Sequence, residues 1–137
     1  PFLRIAPICN GKIYVAPRSY QGEEPGKLDI PMEDYIYACK TDTDKYAKEV
    51  ENKYSNHITG QPEPRFSLKH LVKETNGVKK TIMLYILPLN DEEQIHFTGG
   101  KFVTPEEIEM NSAQYSSFLK EEVDHLNIVA QMWEEFK

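Results

Sequence analysis

Apolar positions along this chain change their period several times, and each change marks an element. Between residues 2 and 17, Ile5, Ala6 and Ile8 precede Asn10-Gly11, and Ile13, Tyr14 and Val15 follow it. Asn-Gly between two apolar runs predicts a β-hairpin, because both turn residues must accept φ > 0. Gly22, Glu23, Glu24, Pro25 and Gly26 make residues 18–27 a loop. Leu28-Asp29-Ile30 reads as a short strand stopped by Pro31, with the aromatic segment Tyr35-Ile36-Tyr37 after it. The period then lengthens. Tyr46, Val50 and Tyr54 recur at i, i+4 and i+8, one stripe of a helix over residues 42–54. Thr41, Asp42 and Thr43 offer capping oxygens at its start, and Asp44 suits the positive end of the helix.

Asn56, Gly60, Pro62 and Pro64 place a second loop at 55–64. Two long strands are predicted next, 66–74 and 79–89, joined across Thr75-Asn76-Gly77. The second carries Ile82-Met83-Leu84-Tyr85-Ile86-Leu87, apolar on both faces and therefore central in a sheet. Ile95-His96-Phe97 and Lys101-Phe102-Val103 flank Gly99-Gly100 and read as another hairpin. Thr104-Pro105-Glu106-Glu107 opens a helix with a capping box, Thr as N-cap, Pro first and Glu third. A long terminal helix over 111–136 is amphipathic through Leu119, Val123, Leu126, Ala130 and Trp133. This order predicts an α/β domain, a mixed sheet flanked by helices, with a long C-terminal helix.

At 137 residues the chain is long enough for one domain, 1–137, with its own core. Sixteen Lys and Arg against 22 Asp and Glu give a formal charge of −6 and a pI near 5.2. An acidic chain gains nothing from counterion release, so nucleic acid is not an expected partner. No apolar run approaches the roughly 20 residues needed to span a bilayer, so direct membrane insertion is not expected either. Cys9 and Cys39 lie in different segments with no metal-binding spacing, which makes a reducing, cytoplasmic compartment the expectation. The chain opens on Pro1 rather than Met, so excision from a longer polypeptide is expected, one form of which is the cytosolic part of a membrane protein.

Gly-Lys-Leu-Asp-Ile-Pro (26–31), followed by a helix carrying Lys48-Glu49-Val50-Glu51-Asn52-Lys53, resembles in order and spacing the Nudix box of the Nudix hydrolase family. That box is a G-x5-E-x7-R-E-U-x-E-E-x-G-U pattern, with U a bulky apolar residue. The resemblance runs from about Ile5 to Met110. It includes Asn10 to Arg18, similar to the family's first hairpin, and Gly100 to Ile108, similar to its strand and capped helix. It implies an α/β/α sandwich, and helical glutamates that hold Mg²⁺ against a nucleoside-diphosphate-type substrate.

Laid on the pattern, Lys48 takes the Arg position, Glu49 the first Glu, Val50 the apolar position, and Asn52 and Lys53 the Glu pair. Ser55 stands at the closing Gly, Glu33 at the opening Gly, and Cys39 near the isolated Glu. One carboxylate of the expected cluster remains. Mg²⁺ wants near-octahedral oxygen ligands, and Asn52 offers only a neutral carbonyl. Lys53 would repel a divalent ion by an amount on the order of several kcal/mol at ~4 Å. Glu49 with Lys53 instead reads as an i, i+4 ion pair.

The resemblance with these replacements implies a catalytically inactive Nudix-like domain retained for ligand binding or regulation, with no catalytic residue, metal or cofactor. Its candidate ligand residues are Arg18, Glu49, Asn52 and Lys53, in a cleft between the box helix and the sheet. The ligand would be a nucleotide-like or other anionic small molecule. The alternatives are a Mg²⁺-dependent hydrolase with relocated carboxylates (Glu33, Asp34, Glu49, Glu51) or an interaction domain of a larger protein. A homo-oligomer or a contact with the parent polypeptide is the expected protein partner, through Trp133 and Phe136 where that face is open. His57, His70, His96 and His125 carry no ligand spacing and read as surface or strand residues, and Cys39 reads as an idle thiol. Tyr35-Ile36-Tyr37 reads as core at a sheet border, or as a stacking platform.

Overall fold

Asn10 and Gly11 both adopt positive φ, 54° and 75°, and their turn folds β1 (Phe2–Cys9) back on β2 (Lys12–Pro17). A computed structural model describes residues 2–35, 43–73, 77 and 79–137. The hairpin pairs only at its tip, Ile8 with Ile13 and Cys9 with Lys12. Beyond that point the two strands part, and other strands take up their edges. β4 (Met32–Tyr35) lies antiparallel to the first half of β1, with Arg4 opposite Glu33 and Leu3 opposite Asp34. β3 (Leu28–Asp29) and β7 (Lys101–Val103) pair with β2. On its other side β1 runs parallel to β6 (Lys79–Pro88), and β5 (Arg65–Lys73) forms the edge. Among the described residues these seven strands make one mixed sheet.

Alternation along β1 assigns its residues to two layers. Leu3, Ile5 and Cys9 face α1 (Thr43–Lys53) and pack with Ala47, Val50, Tyr85 and Leu87. Ala6 and Ile8 face α2 (Pro105–Met110) and α3 (Ser117–Glu135), packing with Ile108, Leu119, Val123 and Leu126. Helices on both faces of the sheet make the α/β/α sandwich that the resemblance implies. β6 lies between β1 and β5, as its two apolar faces require. Among the described residues no helix is long and apolar enough to cross a membrane.

Three elements differ from the expectation. β4 was hidden, because Met32-Glu33-Asp34-Tyr35 follows a proline and lacks an alternating apolar face. Ile95-His96-Phe97 makes no hairpin with Lys101–Val103: Ile95 bridges Ile58, and the later segment pairs with β2. The terminal helix begins at Ser117, where the Ser116 hydroxyl accepts from the Leu119 amide; a 3-10 turn over Ser112–Gln114 precedes it. Thr104 caps α2 by accepting from the Glu107 amide, as expected. The expectations on Ile36, Tyr37, Cys39, Thr41, Asp42, Thr75 and Asn76 fall outside the described residues.

Gly100 fixes the seating of the loop after Phe97. A Cβ at this residue would lie 1.9 Å from the Tyr14 hydroxyl, which accepts from the Phe97 amide at 2.8 Å. Tyr14 is buried and cannot swing aside. Gly100→Ala is therefore expected to destabilise the domain by about 1–3 kcal/mol through overpacking. Urea unfolding of the variant beside the wild type measures it, and an unchanged midpoint would refute the clash.

Candidate functional site

A charged side chain in the middle of an apolar strand must find partners or leave the core. Arg4 stays, fully buried on the α3 face of β1. All five of its N–H donors are used. Nε reaches Glu122 at 3.0 Å, and Nη2 divides between Glu122 at 2.8 Å and Asp29 at 2.7 Å. Nη1 divides between Asp29 at 3.0 Å and Glu33 at 2.6 Å. Arg18, just beyond β2, adds a second guanidinium: its Nη1 lies 2.5 Å from Asp29 and 3.1 Å from Glu33. Its Nε donates to the carbonyl of Glu23. His70 on β5 closes the far side, with Nε2 3.1 Å from Glu122.

Burial alone would raise the Asp29 carboxyl, but the two arginines outweigh it and hold the group below its ordinary value. Glu33 goes the other way. Burial is its largest influence and, with the neighbouring Asp29 charge, lifts its pKa above the ordinary value despite Arg4 and Arg18. Arg4 is held well above its ordinary value: burial opposes the charge, and Asp29 and Glu122 overcome that opposition.

Where β2 parts from β1, this cluster forms one side of a cavity of about 480 Å³. Arg18, Asp29 and Glu33 line it, and so do Tyr54, His57 and Phe97. His57 stacks on Phe97 with centroids 4.0 Å apart and planes 8° from parallel, and Tyr54 lies 5.8 Å from Phe97. The Tyr54 hydroxyl donates to the Glu33 carbonyl.

Of the four candidate ligand residues, the structure brings only Arg18 to this cavity. Glu49, Asn52 and Lys53 are exposed on α1 and do not line it. The expected Glu49–Lys53 pair is not what Lys53 makes; its ammonium binds Asp34 at 2.8 Å, which raises its pKa. α1 presents Ala47, Val50 and Glu51 to the interior, so Glu51 is the carboxylate that turns inward, 3.5 Å from Lys48. Its Oε2 is buried without a hydrogen bond among the described residues. Trp133 packs on the core under Arg65, and Phe136 stays exposed. Sequence reasoning passed over Arg4, Asp29 and Glu122. For Arg4 and Glu122 the signal was present: each is a lone charge on an otherwise apolar face.

No protein-family profile matches this chain, and no curated protein sequence does. Solved structures do. A NUDIX hydrolase from Nitrosomonas europaea aligns over 94% of this chain and 88% of its own, with a TM-score of 0.64 at 11% identity. The Ap4A hydrolase of C. elegans aligns over 95% and 94%, with a TM-score of 0.60 at 15% identity. The NUDIX domain of Shewanella oneidensis NrtR, solved with ADP ribose, aligns over 99% and 87%, with a TM-score of 0.56 at 13% identity. The chain has the Nudix fold. Identities this low establish the architecture and leave the chemistry to the residues.

Those residues do not fit the Mg²⁺ that the Nudix box implies. Glu33 and Asp34 are neighbours on a strand and point to opposite faces, so they cannot share an ion. Each is already ion-paired, Glu33 with Arg4 and Arg18, Asp34 with Lys53. Among the described residues no three His, Cys, Asp or Glu side chains converge as a metal-holding group.

Removing the Arg4 charge leaves Asp29 and Glu122 buried without it. Arg4→Met should therefore destabilise the domain by about 3–5 kcal/mol. Chemical denaturation reads the effect, and a loss near zero would mean the cluster contributes nothing net. The second expectation concerns acid. Asp29 has a folded-state pKa below its unfolded value of about 3.9, so its contribution is present above that pH and is lost as pH falls through the folded value. Asp29→Asn should be less stable than wild type at neutral pH, with the difference shrinking below pH ~4. A constant difference across an acid titration of the unfolding free energy would contradict it.

Proposed function

We propose that this chain, as a single domain over 1–137, binds a nucleotide-like small molecule in the cavity beside Arg18 and Glu33 and does not carry out metal-dependent hydrolysis. Its role is binding or regulation, in the cytoplasm. One observation carries the reading. Three cationic side chains (Arg4, Arg18 and Lys53) already pair with Asp29, Glu33 and Asp34, the carboxylates of β3 and β4. A divalent ion would have to displace a guanidinium or an ammonium from each. The inward-turned Glu51 already has the Lys48 ammonium 3.5 Å from its Oε2. The cavity supports the binding half of the reading, since it is of ligand size, with aromatic and polar residues in its lining. The fold neighbour from Shewanella oneidensis, solved with ADP ribose, supports a small-molecule role for this architecture.

The test pairs two measurements. Nucleoside diphosphate derivatives incubated with Mg²⁺ or Mn²⁺ are expected to show no turnover, and neither ion alone is expected to raise the melting temperature. Metal-dependent turnover that Glu49→Gln or Glu51→Gln abolishes would reverse the proposal.

A further inference from the structure

The cavity has a charge balance unlike that of a phosphate site. Two guanidinium groups, Arg4 and Arg18, face three carboxylates, Asp29, Glu33 and Glu122, so the cluster carries one negative charge in excess. Near the cavity Lys53 adds no free cation, because Asp34 holds it. A diphosphate chain entering here meets Arg18 as its nearest positive group, and Arg18 is already committed to Asp29 and Glu33.

The remaining hydrogen-bond capacity is specific. Asp29 is full: its two oxygens accept four hydrogen bonds, from Arg4 Nη1 and Nη2, Arg18 Nη1 and the Ile30 amide. Glu33 is not. Arg4 approaches one of its oxygens and Arg18 the other, and a carboxylate accommodates about four donors. Arg18 uses Nε and Nη1 within the protein, and among the described residues Nη2 keeps its donors. The polar side thus offers an acceptor next to a donor. Also in the lining, His57 is held by its Nδ1, 2.9 Å from the His96 carbonyl. A carbonyl only accepts, so Nδ1 carries a proton and donates it. His57, Phe97 and Tyr54 give the lining flat apolar rings, which suit another ring.

We propose that the cavity takes a planar nitrogen heterocycle with N–H donors, uncharged or protonated, read by Glu33 as acceptor and by Arg18 Nη2 as donor, and that it selects against a diphosphate chain. This rests on the reading of the domain as a binder, and it makes the ring rather than the phosphates the recognised part.

Calorimetric titration of the full chain with adenosine, guanosine, cytidine and 2-aminobenzimidazole, beside ADP and ADP ribose, tests it. At least one unphosphorylated probe is expected to bind, and ADP and ADP ribose to bind at least about tenfold more weakly than it does. Glu33→Gln should weaken the binding probe by about tenfold or more, as expected for loss of a charge-assisted hydrogen bond. If that variant fails to fold by circular dichroism, His57→Ala carries the test and is expected to weaken the same probe. Tightest binding by ADP or ADP ribose, no binding by any unphosphorylated probe, or binding indifferent to the substitution overturns the proposal. Tight ADP ribose binding without turnover sinks this inference alone; metal-dependent turnover sinks the binder reading beneath it.

Discussion

The Arg4 guanidinium is the constraint on which the arrangement of this domain depends. It lies in the middle of a strand that is otherwise apolar, and it joins residues 25, 29 and 118 positions away in the chain. Through them it ties β1 to β3, to β4 and to α3. Taking four charges out of water is expensive, and their attraction returns that free energy only when the geometry satisfies every donor. Here all five donors are satisfied, so the cluster accepts one relative placement of those four elements and penalises others. A hydrophobic core of the same volume would tolerate several. The contribution we assign to the cluster is therefore uniqueness of placement more than net stability, in line with the behaviour of other buried polar networks.

That placement makes the cavity. β1 and β2 pair only at Ile8–Ile13 and Cys9–Lys12, and the hairpin then opens. Glu33 sits opposite Arg4 in the ladder, so the ion pair and the strand pairing reinforce each other and hold β4 where β2 would otherwise continue. Arg18 leaves the end of β2 and returns to Asp29 and Glu33, which spans the opening. The same side chains that set the walls also set the electrostatics. Arg4 and Arg18 are committed to carboxylates of the protein itself, and those carboxylates outnumber them by one.

Much of the scaffold could be read from the chain because local signals specify it. Asn10-Gly11, the Tyr46-Val50-Tyr54 stripe, the doubly apolar run of β6 and the Thr104-Pro105 cap all act over a few residues, and the structure has each of them. β4 was not legible, since its four residues owe their strand conformation to an edge of β1 that only the folded chain provides. The candidate site was half legible. Arg18 lines the cavity, while Glu49, Asn52 and Lys53 were chosen by their place in a box pattern and lie on the solvent side of α1. Periodicity would have chosen differently. With Val50 inward, Glu51 is turned only about 100° from it and Glu49 the same angle the other way, and Ala47 on the same side as Glu51 tips the buried face toward it.

Glu33 is the residue where scaffold and chemistry meet. In the resemblance to the Nudix box it stands at the opening glycine, a position at which no side chain could reach Arg4 or Arg18 if glycine were present. With a carboxylate there, one guanidinium is shared in the ladder and a second is drawn across the cavity, so an acidic residue and its cations form a unit. Core packing across this fold asks mainly for volume and pattern, which explains how identities of 11 to 15% coexist with alignment over more than nine-tenths of the chain. A site asks for a few charges at fixed distances, and here those charges are arranged around two arginines. The shared architecture leaves the chemistry of the cavity to its own residues, and here Glu33 with Arg4 and Arg18 sets its charge.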